Sequence, residues 1–126
     1  MDEQEFKDRT KQLGLRIIRL VEALPKTDTA RVIGKQLLRA GTSVGANYRA
    51  ACRGRSSADV VNKLRIVEEE ADEVLFWLEL LVEAGMVTEE KLKPLMEETD
   101  EIIAMTVASK KTLRRHAGFN RQDRPR

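Results

Sequence analysis

Histidine and cysteine are almost missing from this chain: His116 and Cys52 stand alone among 126 residues. A single cysteine excludes an internal disulfide and any multi-cysteine metal site, and its expected state is a small buried thiol. A single histidine argues against a di-iron bundle centre, which asks for paired Glu-x-x-His motifs on facing helices. It also leaves Ser43 and Cys52 without a base for nucleophilic catalysis. Aromatics make up only 4% of the residues, there are three prolines, and no stretch alternates β-branched with polar residues long enough to form a sheet. The longest unbroken apolar run, Val74 to Leu78, is far short of the roughly 20 residues a membrane span needs. The opening residues MDEQEFKDRT are acidic and carry no apolar core of a secretory signal, so a cytoplasmic protein is expected.

What remains is a chain rich in Leu, Ala, Glu, Lys and Arg, a composition that favours helix. Its net charge of +2 hides strong segregation. Residues 1–24 are neutral, 25–65 carry +7, 66–101 carry −11, and 102–126 carry +6. The class is all-α: an antiparallel up-down four-helix bundle over residues 1–117, with a basic, disordered tail over 118–126.

Punctuation and periodicity give four helices. The first spans about Asp2 to Leu24, where Phe6, Leu13, Ile17, Leu20 and Leu24 repeat at helical spacing until Pro25. Asp28 or Thr29 can cap the second, which should end at Gly54, and Ser56 or Ser57 can cap the third. In the third, Val60, Leu64, Val67, Ala71, Val74, Leu78 and Leu81 recur without a miss, as in a bundle seam. Gly85 suits a C′ position and Thr88 the cap of the fourth helix, in which Pro94 removes one backbone bond and is expected to kink the axis.

The stretch Arg31 to Arg55 organises the rest. Gly41, Thr42, Ser43 and Gly45 suggest a break, yet Ile33, Leu37, Ala40, Val44, Tyr48 and Ala51 keep one phase across them, which predicts an unbroken helix. Gly34, Gly41 and Gly45 fall on one strip and let another helix pack closely. A phosphate loop is not indicated, because no strand precedes these glycines and no lysine follows them. Asn47 sits at the edge of the apolar side, as a structural amide that must find a partner.

Two basic regions carry the functional argument. Arg31, Lys35, Arg39, Arg49 and Arg53 line the second helix and Arg55 follows just past its end, while Lys110, Lys111, Arg114 and Arg115 extend the basic character at the other end of the chain. Such stripes attract phosphate backbones by releasing counterions. The competing reading is structural, with the second helix neutralising the acidic third. Glu68, Glu69, Glu70, Asp72 and Glu73 read as a solvated acidic face, with Glu68 and Glu70 pairing to bases of the second helix, and neither a metal nor a cofactor is implied. The segment VLFWLELLV, Val74 to Val82, turns apolar side chains in nearly every direction, so Phe76, Trp77 and Leu80 are expected in a subunit interface.

Leu38-Arg39-Ala40-Gly41, Ser43-Val44-Gly45-Ala46-Asn47-Tyr48, Ala71-x-Glu73 and Trp77-Leu78 together resemble the 23S rRNA intervening sequence protein family. The resemblance covers Leu37 to Gly85 well. It implies an antiparallel four-helix bundle assembled as a ring-shaped homopentamer, and it offers no established catalytic residues to carry over. Some relatives are encoded within insertions in large-subunit rRNA genes. The family is similar to the accessory variability determinant of diversity-generating retroelements, a basic bundle thought to contact nucleic acid. The implied function is a non-enzymatic, oligomeric nucleic-acid binder, for RNA or DNA; a protein-protein adaptor is the alternative. One departure is Ala50, where the family often has Glu.

Overall fold

Each helix starts where a short polar side chain takes the place of a missing intrahelical partner. Asp2 Oδ1 accepts from Glu5 N–H at 2.8 Å, Thr27 Oγ1 from Ala30 at 3.1 Å, Ser56 Oγ from Asp59 at 3.1 Å, and Thr88 Oγ1 from Lys91 at 3.3 Å. The cap of the second helix is thus Thr27, ahead of the expected Asp28 or Thr29, since Thr27 is the residue with extended backbone there. The structure, a computed structural model, describes residues 2–123, with side chains described as far as His116. It holds α1 (Glu3–Glu22), α2 (Asp28–Cys52), α3 (Ser57–Glu83) and α4 (Glu89–Asp123). The boundary expected at Gly118 falls within α4, where side chains lie outside the described residues, as do residues 124–126 altogether.

α3 ends in a Schellman turn. Gly85 has φ 74°, Met86 N–H donates to Leu81 O at 3.0 Å, and Gly85 N–H donates to Val82 O at 3.0 Å. That turn reverses the chain into α4, which runs through Pro94 without ending.

Short connections make sequential helices antiparallel neighbours, so α1 packs on α2, α2 on α3 and α3 on α4. α1 and α4 meet only lightly. Leu13, Ile17, Leu37, Val44, Val67, Val74, Leu78 and Ile102 form the fully buried centre. Thr10, Thr99 and Thr106 are as buried, and each hydroxyl donates to a carbonyl four residues back, at 3.0, 2.8 and 2.7 Å. Helical geometry itself satisfies these polar groups, so the threonines act as core residues.

α2 is continuous through its glycines because α1 lies against them. A methyl at Gly41 would sit 2.4 Å from Ile17 Cδ1, and one at Gly45 would sit 3.3 Å from the backbone of Thr10. At Gly34 it would sit 3.2 Å from Val21 Cγ1. The strip of small residues is the contact face for α1.

Candidate nucleic-acid interface

The basic residues of α2 divide into three groups along its axis. Arg39, in the middle, reaches across to α3, where its guanidinium bonds Glu70 Oε2 at 2.9 Å and also the carboxylate of Glu73. The Glu73 carboxylate accepts in addition from the Trp77 indole N–H at 3.2 Å. The Arg39 guanidinium holds the Glu73 carboxyl below the usual carboxylate range, and the two carboxylates raise the pKa of Arg39 further. Sequence pattern makes Arg39 a phosphate contact. In the structure it forms an interhelical clasp, because α2 and α3 pack with its stripe facing the acidic side of α3.

Lys110 also departs from expectation. It is only 9% exposed, and its Nζ lies 2.5 Å from Glu68 Oε1. Thr99, Ile102, Thr106 and Lys110 are spaced at three and four residues and all face inward. Among the described residues Lys110 is the last buried member of the α4 stripe. Glu68 pairs across to α4, not to α2 as its sequence position suggests. The repeat Leu92, Leu95, Thr99, Ile102, Thr106 is visible in the sequence, and counting the threonines as core extends it to Lys110.

Arg31 and Lys35 lie toward the α1–α2 turn, and Arg31 makes an exposed pair with Asp28 Oδ1 at 2.9 Å. Such a pair contributes little. Fourteen residues, about 21 Å of helix rise, separate Lys35 from Arg49.

At the other end of the bundle the two basic regions converge. An open groove of about 580 Å³ is walled by Ala51 and Cys52 of α2, Val60 and Leu64 of α3, and Ala108 and Thr112 of α4. Arg49, Arg53 and Arg55 therefore lie at the same end as Lys111, Arg114 and Arg115. All six are exposed, and among the described residues none makes an ion pair. The groove itself is apolar with Asp2 and Glu3 at its edge, and Phe6 meets Tyr48 edge-on at 4.5 Å. Burial, and the Glu3 carboxylate accepting from its S–H, push the Cys52 thiol up. At neutral pH it is a thiol, a weak nucleophile.

Asn47 donates to Ser43 O at 2.9 Å, four residues back on its own helix. Phe76 is 51% exposed, while Trp77 and Leu80 are half-buried, with Trp77 packed on the core and edge-on to Phe76 at 5.1 Å. Val32, 61% exposed, shares the α2 stripe of Arg39 and so lies on this same α2–α3 face. Sequence reading misses Arg9, the main polar link between α1 and α4. Its Nε donates to Glu98 Oε2 at 2.9 Å, its second nitrogen reaches the other oxygen of that carboxylate, and Glu101 lies 3.6 Å away. No sequence signal pairs residues 89 positions apart.

Capped antiparallel helices, a threonine-bearing core and a glycine-mediated α1–α2 contact define an antiparallel four-helix bundle with one cationic end. The sequence pattern of the 23S rRNA-intervening sequence protein family matches residues 2–108, and the chain belongs to that family. It is also similar to a crystal structure of a protein of unknown function from the S23 ribosomal protein family of Bacteroides thetaiotaomicron. The two are 36% identical with a TM-score of 0.82, covering 88% of this chain and 99% of that one. No curated protein matches the chain. Among the described residues no helix is long and apolar enough to cross a membrane.

Proposed function

We propose that the protein is a non-enzymatic, cytoplasmic nucleic-acid-binding bundle that works as a homo-oligomer, with Arg49, Arg53, Arg55, Lys111, Arg114 and Arg115 as its phosphate contacts. The observation that carries this reading is the convergence of six exposed cations, free of carboxylate partners among the described residues, from two distant segments of the chain. Cations already paired with carboxylates of a neighbouring helix, Arg39 with Glu70 and Glu73 and the buried Lys110 with Glu68, release fewer counterions and are left out of the binding surface. Arg31 and Lys35, at the far end, are not needed for it. RNA is the first polymer to test, because the family's description refers to 23S rRNA. A lone, half-buried thiol suits a reducing compartment. The exposed ring of Phe76 supports self-association, and the family resemblance suggests five copies.

The test is fluorescence anisotropy with labelled RNA and duplex DNA across a salt series. If all six cations each neutralise a phosphate, log K falls with log salt at a slope of about −4 to −5. Reversing Arg49 and Arg53 to Glu should remove most of the affinity while leaving the helical signal intact. Absence of salt-dependent binding would leave the adaptor reading, with a partner docked on α3.

A further inference from the structure

The outer face of α1 and α2 carries a second groove, of about 560 Å³, that the basic end does not include. Its origin is steric. Gly14, Gly41 and Gly45 bring the two backbones together, so the floor is main chain and short side chains, and no long residue fills it. Thr42 stands at the wall with its hydroxyl already donated to Leu38 O at 2.8 Å. The rim is charged. Lys7 and Lys11 stand one turn apart on α1, and Arg49 faces them from α2. The only carboxylate in the lining, Asp8, accepts from Gln4 Nε2 at 3.1 Å, and among the described residues no ion pair involves Lys7, Lys11 or Arg49. Leu15 and Ile18 continue the groove as a half-buried apolar shelf.

We infer that this groove is a track for one single-stranded phosphodiester backbone, continuing the basic end through Arg49 and adding Lys7 and Lys11 as phosphate contacts. The inference rests on the nucleic-acid reading above and extends it to α1, a helix whose segment is neutral overall and which composition gives no reason to include. Three cations against one occupied carboxylate fit a polyanion. A channel between two ridges admits one strand, with its sugars or bases against Leu15 and Ile18, whereas a duplex is itself convex and would touch the rims alone. Lys7 and Lys11, about 6 Å apart along the axis, can address successive phosphates.

The test compares the full chain with a Lys7→Gln, Lys11→Gln variant and with a Lys91→Gln, Lys93→Gln control. The control removes the same charge from exposed positions at the opposite end. Anisotropy with a labelled single-stranded RNA, followed over salt concentration, should show a slope flatter by about 1.4 for the groove variant, at roughly 0.7 for each phosphate left without its lysine. The control should keep the wild-type slope. Ala46→Glu, which sets a carboxylate at an exposed place on the groove wall, should weaken binding at every salt concentration. Equal slopes for wild type and groove variant, or equal losses for groove variant and control, would overturn the track while leaving the basic end standing. A loss on duplex as large as that on single strand would overturn the single-strand assignment. Wild-type protein with no salt-dependent binding would instead sink the nucleic-acid reading itself.

Discussion

Gly14 and Gly41 face each other across the α1–α2 contact, yet they would receive a methyl group differently. At Gly14 the nearest atoms would be Gly41 O at 3.7 Å and Thr42 Cα at 3.9 Å, ordinary contact distances. At Gly41 the methyl would strike Ile17 at Cδ1, Cγ2 and Cβ, at 2.4, 3.0 and 3.2 Å. Ile17 is fully buried and has nowhere to retreat. Replacing a helical glycine by alanine gains roughly 0.8–1.0 kcal/mol, and overpacking a core costs about 1–3 kcal/mol. Gly14→Ala should therefore stabilise the protein by about 0.5–1 kcal/mol, while at Gly41→Ala the clash offsets or outweighs the helix gain, for a net destabilisation of up to roughly 2 kcal/mol. Urea denaturation of the two variants checks this, and shifts of the same sign would refute the steric account.

Between α2 and α3 the informative unit is the Arg39, Glu73 and Trp77 cluster. Glu73 has a folded pKa below its unfolded value, so its contribution to stability is complete above the unfolded pKa, about 4.3 for glutamate, and disappears as pH falls through the lower folded value. Trp77 is the chain's single tryptophan and donates to that carboxylate, so its emission should report the titration. The expected midpoint lies below the ordinary glutamate range in the wild type and moves up in Arg39→Met. A wild-type midpoint at or above the ordinary value would show that the clasp is absent in solution. The cluster also marks how far the sequence can be read. Helix number and continuity follow from caps, from Gly85 and from a phase that Gly41 and Gly45 do not reset, because these are properties of a single helix, whereas two boundaries move: α2 is capped at Thr27 and α4 runs past Gly118. The fate of Arg39 and Lys110 is not legible there, because it depends on how far each helix rotates against its neighbour. The α1–α2 groove stays hidden for the same reason: Lys7 and Arg49 become neighbours only once the glycines have drawn two helices together.

Over the whole molecule, the cations of the α1–α2 groove and the bundle end occupy one region, and the apolar α2–α3 face with Phe76 occupies another. Such a division suits a protein that associates through one surface and binds through another. Phe76 is half in water, so replacing it costs the protomer little packing. If Phe76 holds copies together, Phe76→Glu should reduce the mass in light scattering from a multiple of 14.3 kDa to a single copy, with helicity unchanged. Wild-type protein already at one copy would remove the interface. Association would also array several cationic ends, and linked sites gain on the order of 10²–10⁴ in avidity when geometry lets them engage together. The single-copy variant should therefore lose at least about a hundredfold in affinity for a long RNA, and much less for an oligonucleotide too short to bridge two copies. Equal losses on both would mean that Phe76 touches the nucleic acid itself, because avidity alone makes the effect depend on length.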